Sequence, residues 1–144
     1  MKRLHLHINT TAHTFEQSIH FYSTLFNSAP TKKKEHYAKW MLEDPKVNFV
    51  LEVLETSGDT AGIHHVGIQV DESAELVGVH EALKAIDAPL LDIGNTSCCY
   101  SESEKFWSQD PSGVRWETFH STADIADYGA KTPEELDLYN SEVQ

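Results

Sequence analysis

Four residues in this chain combine the types and the spacing to hold a divalent metal. His5 lies in LHLHINT (4–10) and His65 in HHVGIQV (64–70). Glu52 lies in VLEVL (50–54) and Glu117 in RWETF (115–119), each interrupting an otherwise apolar run. Imidazole and carboxylate together suit a borderline divalent ion such as iron(II), nickel, zinc or manganese. Two His and one carboxylate on one side of such an ion leave positions open for substrate or oxygen. Alternation along a strand puts His7 and Asn9 on the face of His5, which makes His7 its main rival as a ligand. A lone strand His is usually a surface or hydrogen-bonded residue, and a lone Glu in an apolar run usually marks an exposed face. The matched placement of two His and two Glu is what favours ligation. His13, His20, His36, His80 and His120 fall in helix, loop or terminal contexts and read as surface residues.

The chain's only thiols are neighbours, Cys98 and Cys99, in GNTSCCYSES (94–103). Consecutive Cα atoms are about 3.8 Å apart, whereas an ordinary disulfide wants about 4.4 Å or more. Two free thiols are therefore expected. They are either one buried and one exposed strand residue, or a two-pronged grip on a soft atom. A grip requires the backbone to leave strand geometry, and Gly94, Asn95, Thr96 and Ser97 suit such a departure into a loop.

These residues need a scaffold, and the sequence supplies it twice. LHLHINT and HHVGIQV read as strands, and each precedes a helical pattern. Phe15, Ile19, Tyr22 and Phe26 make one apolar face; Leu76, Val79, Leu83 and Ile86 make another. Thr14 with Gln17 predicts a capping box for the first helix, and Asp71 or Ser73 an N-cap for the second, with Asp87 and Pro89 ending it. Strands are expected at 33–42 and 47–54, then at 90–96, 100–109 and 114–119, with turns at EDPK and DPSG. The fold class expected is α+β: tandem βαβββ modules, about 1–60 and 61–122, forming a curled mixed sheet around a cavity. Residues 123–144 are expected to form an acidic tail with a short helix starting at TPEEL.

A length of 144 residues suits one domain with a real core. A formal charge of −12 disfavours nucleic acid and anionic membrane surfaces as partners. TKKK (31–34) is the one basic cluster, either a solvated strand or loop or a landing point for an anionic substrate. No signal-peptide pattern and no membrane-spanning stretch is evident, so a cytoplasmic protein is expected.

The duplication with His5, His65 and Glu117 resembles the vicinal oxygen chelate superfamily, which includes glyoxalase I, extradiol dioxygenases and bleomycin-resistance proteins. SIHFYSTLF, HHVGIQV, TSCCY, KFW and DPSGVRWE are similar to its cadmium-induced protein and organoarsenical carbon–arsenic lyase branch. The likeness covers about residues 3–120. It implies a non-haem iron(II) site that uses dioxygen to split the C–As bond of trivalent organoarsenicals. It implies His5, His65 and Glu117 as metal ligands, Cys98 and Cys99 as the thiols that hold arsenic, and Lys105 in the matching downstream strand. If the two thiols grip a soft atom at the cavity mouth, Tyr100 and the Lys105–Trp107 segment are expected to form the inner wall beside the metal, which makes Tyr100 and Lys105 catalytic candidates with Glu117. The chain differs from that branch in His5, where Gln is common, and in Glu52, where the residue is usually uncharged. A Glu at that position resembles glyoxalase I and makes Glu52 a candidate fourth ligand. Two further readings stay open: a glyoxalase-type isomerase with nickel(II) or zinc(II), and a protein that sequesters a toxic metal or drug without turnover. Superfamily members often pair, so a homodimer is compatible with the resemblance.

Overall fold

The computed structural model describes residues 3–54, 60–98 and 101–124. The elements run β1 (Arg3–Thr10), a 3-10 turn (Ala12–Thr14), α1 (Phe15–Leu25), β2 (Lys32–Lys34), β3 (Tyr37–Glu43) and β4 (Lys46–Val53). Then follow β5 (Gly62–Gln69), α2 (Ser73–Ala85), β6 (Leu90–Cys98), β7 (Ser101–Gln109) and β8 (Arg115–Asp124). This is the expected mixed α+β order, a βαβββ unit used twice. The chain forms two compact units that divide inside β5, Arg3–Val66 and Gly67 onward. In the first, β2, β3, β4 and β1 are neighbours in that order, and in the second β6, β7, β8 and β5 repeat it.

The first unit is built on period-two alternation. β1 pairs parallel with β4, from Leu4 opposite Val47 to Thr10 opposite Val53. Leu6 and Ile8 of β1 share a face with Phe49 and Leu51 of β4 and Ala38, Trp40 and Leu42 of β3, and α1 covers that face with Phe15 and Ile19. Trp40 is fully buried, and its indole N–H donates to the Ser28 carbonyl at 3.0 Å, so its polar atom is satisfied. His5, His7, Asn48, Val50 and Glu52 occupy the opposite face.

The second unit follows the same logic. Val70, Leu76 and Phe106 form its core with Ile68, Val79, Leu83 and Leu90. The alternate residues of β7 and β8, namely Lys105, Trp107, Glu117 and Phe119, share the other face.

Both helices end alike. Asn27 and Asp87 take left-handed conformations, φ 50° and 57°. After α1, Asn27 N–H donates to the Thr24 carbonyl and Ser28 N–H to that of Ser23; after α2, Asp87 donates to Lys84 and Ala88 to Leu83. Each is the paired closure in which one left-handed residue satisfies two orphan carbonyls. The expected stop at Asp87 is thus found, with Asn27 as its unrecognised counterpart. The starts differ from expectation. Thr14 makes no side-chain cap; Thr11 accepts the Thr14 N–H and caps the 3-10 turn instead. Neither Asp71 nor Ser73 caps α2, whose cap position is Glu72, while the Glu75 carboxylate accepts the Asp71 N–H at 3.2 Å. The strand expected over 33–42 is broken into β2 and β3 by a turn at Glu35 and His36.

Gly67 is the tightest point between β5 and β8. A Cβ there would meet the Glu117 carbonyl oxygen at 2.5 Å and the Glu117 Cβ at 3.2 Å. Gly78, inside α2, would meet nothing within 4 Å. Gly67→Ala is expected to destabilise the protein by about 1–3 kcal/mol through overpacking against backbone. Gly78→Ala is expected to stabilise it by about 0.5–1 kcal/mol through helix propensity. Urea unfolding midpoints of the two variants should move in opposite directions.

Candidate metal centre

Three imidazoles of the first unit converge. His5, His7 and His65 each offer a ring nitrogen, and these atoms lie within 4.8 Å of one another. Ring centroids are 4.7 Å apart for His7 and His65, and 5.2 Å for His5 and His65. The exposures are 3 %, 3 % and 9 %, so water solvates the rings poorly.

The neighbours select tautomers. His5 Nδ1 lies 3.0 Å from the Asn48 carbonyl oxygen. A carbonyl only accepts, so Nδ1 carries the proton and Nε2 presents a lone pair. That is the arrangement by which an outer group orients a ligating His. His7 Nε2 lies 3.1 Å from Glu52 Oε1, where a ring N–H donates to the carboxylate. His65 Nδ1 lies 2.8 Å from His64 Nδ1. When His65 donates in that pair, its Nε2 is the lone-pair atom. Ligands about 2.0–2.2 Å from a tetrahedral or octahedral ion stand roughly 3–3.5 Å apart. The cluster, with its ring nitrogens within 4.8 Å of one another, is somewhat wider than that. Imidazole suits zinc, copper, iron and nickel, so the donor set fits a borderline divalent ion.

The sequence-derived site residues fall as follows. His5 and His65 meet, and Glu52 touches the cluster through His7. His7, set beside His5 as a rival, is a full member of the group. Strand registers explain why. Glu52 pairs with Asn9, two residues after His7. Val70 N–H donates to the Phe119 carbonyl, which places Gly67, two residues after His65, opposite Glu117. Counted from the closing glutamates, His65 corresponds to His7, whereas the sequence repeat aligns it with His5. His64, the residue before His65 on the same strand, also packs its ring 5.4 Å from that of His7. The signal for both was the HxH and HH spacing itself.

In the second unit Glu117 is buried and its Oε2 lies 3.1 Å from Lys105 Nζ; the side chains are 8 % and 1 % exposed. The lysine expected to act near the thiols is therefore held by the expected carboxylate ligand. β6 continues as a strand through Cys98, with a register shift between Asp92 and Gly94, rather than opening into a loop from Gly94. Cys99, Tyr100 and the acidic tail from residue 125 lie outside the described residues. His80, read as a surface residue, donates from Nε2 to Asp92 Oδ1 at 2.7 Å. It lines a cavity of about 410 Å³ with Leu76, Val77, Asp92, Glu104 and Phe106.

The sequence matches the Glyoxalase/Bleomycin resistance protein/Dioxygenase superfamily over residues 5–118. The chain belongs to this superfamily. A trivalent organoarsenical cleaving enzyme of Bacillus sp. (strain MD1) is 40 % identical over 136 residues, 92 % of this chain and 81 % of that protein. The cadmium-induced protein CadI of Mycobacterium bovis is 35 % identical over 134 residues, 90 % and 83 % of the two chains. Among solved structures, the Mn(II)-bound glyoxalase of Novosphingobium aromaticivorans aligns with a TM-score of 0.61 at 13 % identity, over 91 % of this chain and 44 % of that one. Homoprotocatechuate 2,3-dioxygenase of Arthrobacter globiformis aligns with a TM-score of 0.61 at 17 % identity, over 96 % and 40 %. At such identities the likeness is one of fold. Among the described residues no helix is long and apolar enough to cross a membrane.

Replacing His5, His7 or His65 singly by Ala is expected to abolish stoichiometric binding of cobalt(II) or zinc(II), measured by equilibrium dialysis. Glu52→Gln is expected to weaken it by about 10- to 100-fold, the usual effect of losing a group that orients a ligand. Full metal content in all four variants would exclude the cluster as the metal centre.

Proposed function

We propose that this chain is a divalent-metal-dependent enzyme that cleaves the carbon–arsenic bond of trivalent organoarsenicals, with iron(II) as metal and dioxygen as co-reactant. The observation that carries the reading is the 40 % identity, across 92 % of the chain, to a protein named for that activity. The buried imidazole cluster supports it with a donor set suited to the metal.

On this reading His5, His7 and His65 hold the ion, and the family resemblance adds Glu117 as a carboxylate ligand. The ion supplies Lewis-acid and redox chemistry at its open positions. The Asn48 carbonyl keeps the proton of His5 on Nδ1, so that Nε2 would be the atom available to hold the ion. Glu52 takes the hydrogen bond of His7 and fixes that ring. Cys98 and Cys99 take the arsenic: two thiol protons leave with two arsenic-bound hydroxyls as water, and two S–As bonds form. Thiolate is the reactive form, and free cysteine has a pKa of about 8.5. Lys105 and Tyr100 are assigned to the wall beside the reacting group. The partners are the arsenical and a second copy of the chain, in a cytoplasmic setting that keeps the thiols reduced.

One observation favours a second reading. Glu52 beside His7 gives the first unit a carboxylate next to its imidazoles. That suits a glyoxalase-type isomerase on nickel(II) or zinc(II), with the carboxylate moving a proton.

Aerobic incubation of the iron-loaded protein with phenylarsonous acid decides between them. Release of inorganic arsenite with oxygen uptake is expected, together with at least a hundredfold loss in Cys98→Ser and Cys99→Ser. One equivalent of phenylarsine oxide should protect both thiols from alkylation. Turnover of a hemithioacetal without arsenite release would replace this reading with the isomerase. Arsenical binding without either turnover would leave a sequestering protein.

A further inference from the structure

The second unit carries a cavity that the proposed reaction leaves unused. Its volume is about 410 Å³, inside the range of about 300–1,000 Å³ common for small-molecule sites. One wall is a flank of α2, made of Leu76, Val77, His80 and Glu81. The spacing i, i+1, i+4, i+5 sets these side chains side by side. The facing wall comes from β6 and β7. Asp92 pairs directly with Phe106, and Glu104 lies two residues before Phe106, so all three share one face of the sheet. Contacts from α2 fix this as the helix side. His80 Nε2 donates to Asp92 Oδ1 at 2.7 Å, and the Ser73 hydroxyl donates to Glu104 Oε2 at 3.1 Å. Lys105 sits between Glu104 and Phe106 but sends its ammonium to the other face, 3.1 Å from Glu117 Oε2. The charge facing the cavity is therefore set by Glu81, Asp92, Glu104 and His80.

This lining is neither an ordinary core nor an ordinary surface. Leu76 and Phe106 are buried and give it an apolar floor. His80 meets Phe106 edge to face, ring centres 5.0 Å apart. Val77 is 57 % exposed and brings a branched apolar side chain to the rim. Against these stand three carboxylates and one imidazole, a net negative charge whether or not His80 is protonated. Neither hydrogen bond exhausts its acceptor. An ionised carboxylate has two oxygens and about four lone-pair sites. Asp92 is engaged through Oδ1 and Glu104 through Oε2, which leaves Oδ2 and Oε1. A mostly apolar cavity with a few converging polar groups is the usual makeup of a small-molecule site. A cleft lined by one sign of charge raises the local concentration of the opposite sign.

We propose that this cavity is a second ligand site, which takes a small organic cation: an ammonium group on an aromatic or branched aliphatic body. The ammonium donates to Asp92 and Glu104, and the apolar body lies against Leu76, Val77 and Phe106. An ammonium carries three donors, which suits carboxylates arriving from two strands and a helix. The same carboxylates repel an anion, and a neutral alcohol gains the apolar contacts alone. A bare metal ion is the poorer occupant. Among the described residues the donor atoms that close to within 4.8 Å as a group of three or more are those of His5, His7 and His65, and none of this cavity. The site is built wholly by the second unit, on the face of β7 opposite the Lys105–Glu117 pair, and does not depend on the reaction proposed above.

Calorimetric titration of the metal-loaded full chain with benzylamine, benzyl alcohol and benzoate tests the site. Benzylamine is expected to bind at least tenfold more tightly than benzyl alcohol, and benzoate not to bind. Raising the ionic strength should narrow the preference, because charges at an exposed rim are screened. Glu104→Gln and Asp92→Asn should each reduce the preference about three- to tenfold, and the double variant should remove it. Val77→Trp, a change at the exposed rim, should block amine and alcohol alike. The methyl resonances of Leu76 and Val77 should shift when benzylamine is added to the unaltered chain. Benzylamine bound no better than benzyl alcohol, a preference unchanged in the double variant, or binding that leaves the Leu76 and Val77 methyls unshifted overturns the proposal. No arsenical and no turnover enters these measurements, so their failure and a failure to release arsenite are separate results.

Discussion

The parallel register of β1 on β4 is the constraint on which the candidate site depends. It sets Leu6 opposite Phe49 and Ile8 opposite Leu51 on the helix side, and His5 opposite Asn48 and His7 opposite Val50 on the other. A slip of one residue would turn the imidazoles toward α1 and the aliphatics away from it. Trp40, Phe49 and Leu51 are at most 3 % exposed, and each such side chain gains about 1.5–3 kcal/mol from burial. The apolar core thereby fixes where His5 and His7 point. The same register brings the Asn48 carbonyl to His5 and the Glu52 carboxylate to His7, so packing and hydrogen bonding agree on one arrangement.

The parts of this architecture carried by periodicity were legible in the sequence. Alternation in LHLHINT and the i, i+4, i+7, i+11 spacing of Phe15, Ile19, Tyr22 and Phe26 announced β1 and α1, and the repeat announced the second unit. Helix starts were not legible, because Thr11 and Thr14 offer equivalent hydroxyls three residues apart and only the 3-10 turn between them decides which one caps. The full membership of the imidazole cluster was hidden for a different reason. A sequence repeat aligns residues by count, whereas a sheet aligns them by register. The repeat gives 60 residues between His5 and His65; the closing glutamates give 58 between His7 and His65. Both histidines can reach one centre because they lie two apart on a single strand face. TKKK was visible as a cluster, but the pairing of Lys32 with Lys39 arises only from the β2–β3 turn at Glu35 and His36, which carries no Gly or Pro to mark it.

Burial gives the imidazole cluster its chemical direction. Three imidazoles offer ring nitrogens within 4.8 Å of one another. A neutral imidazole has one donor nitrogen and one lone pair. The donor of His5 goes to a backbone carbonyl that the sheet cannot withdraw. The donor of His7 goes to a carboxylate. Each ring then keeps one lone pair, and the ring nitrogens lie close enough for a cation to satisfy several at once in a way that a single hydrogen-bond donor does not.

The two closing glutamates show how a duplicated fold can separate its chemistry. Glu52 and Glu117 hold matching places in the two units, and each accepts from a cationic or imidazole donor at 3.1 Å. The partners differ in kind. Glu52 meets a His that belongs to a metal-competent group, and its side chain is 17 % exposed. Glu117 meets an ammonium that is 1 % exposed, in a pair sealed from water. A carboxylate hydrogen-bonded to an imidazole tunes a ligand. A carboxylate 3.1 Å from a buried ammonium is held in place, and breaking a buried pair by removing one partner typically costs about 3–5 kcal/mol. Identical residues at equivalent positions are therefore not chemically equivalent here. The difference lies in one neighbour, His7 in the first unit and Lys105 in the second.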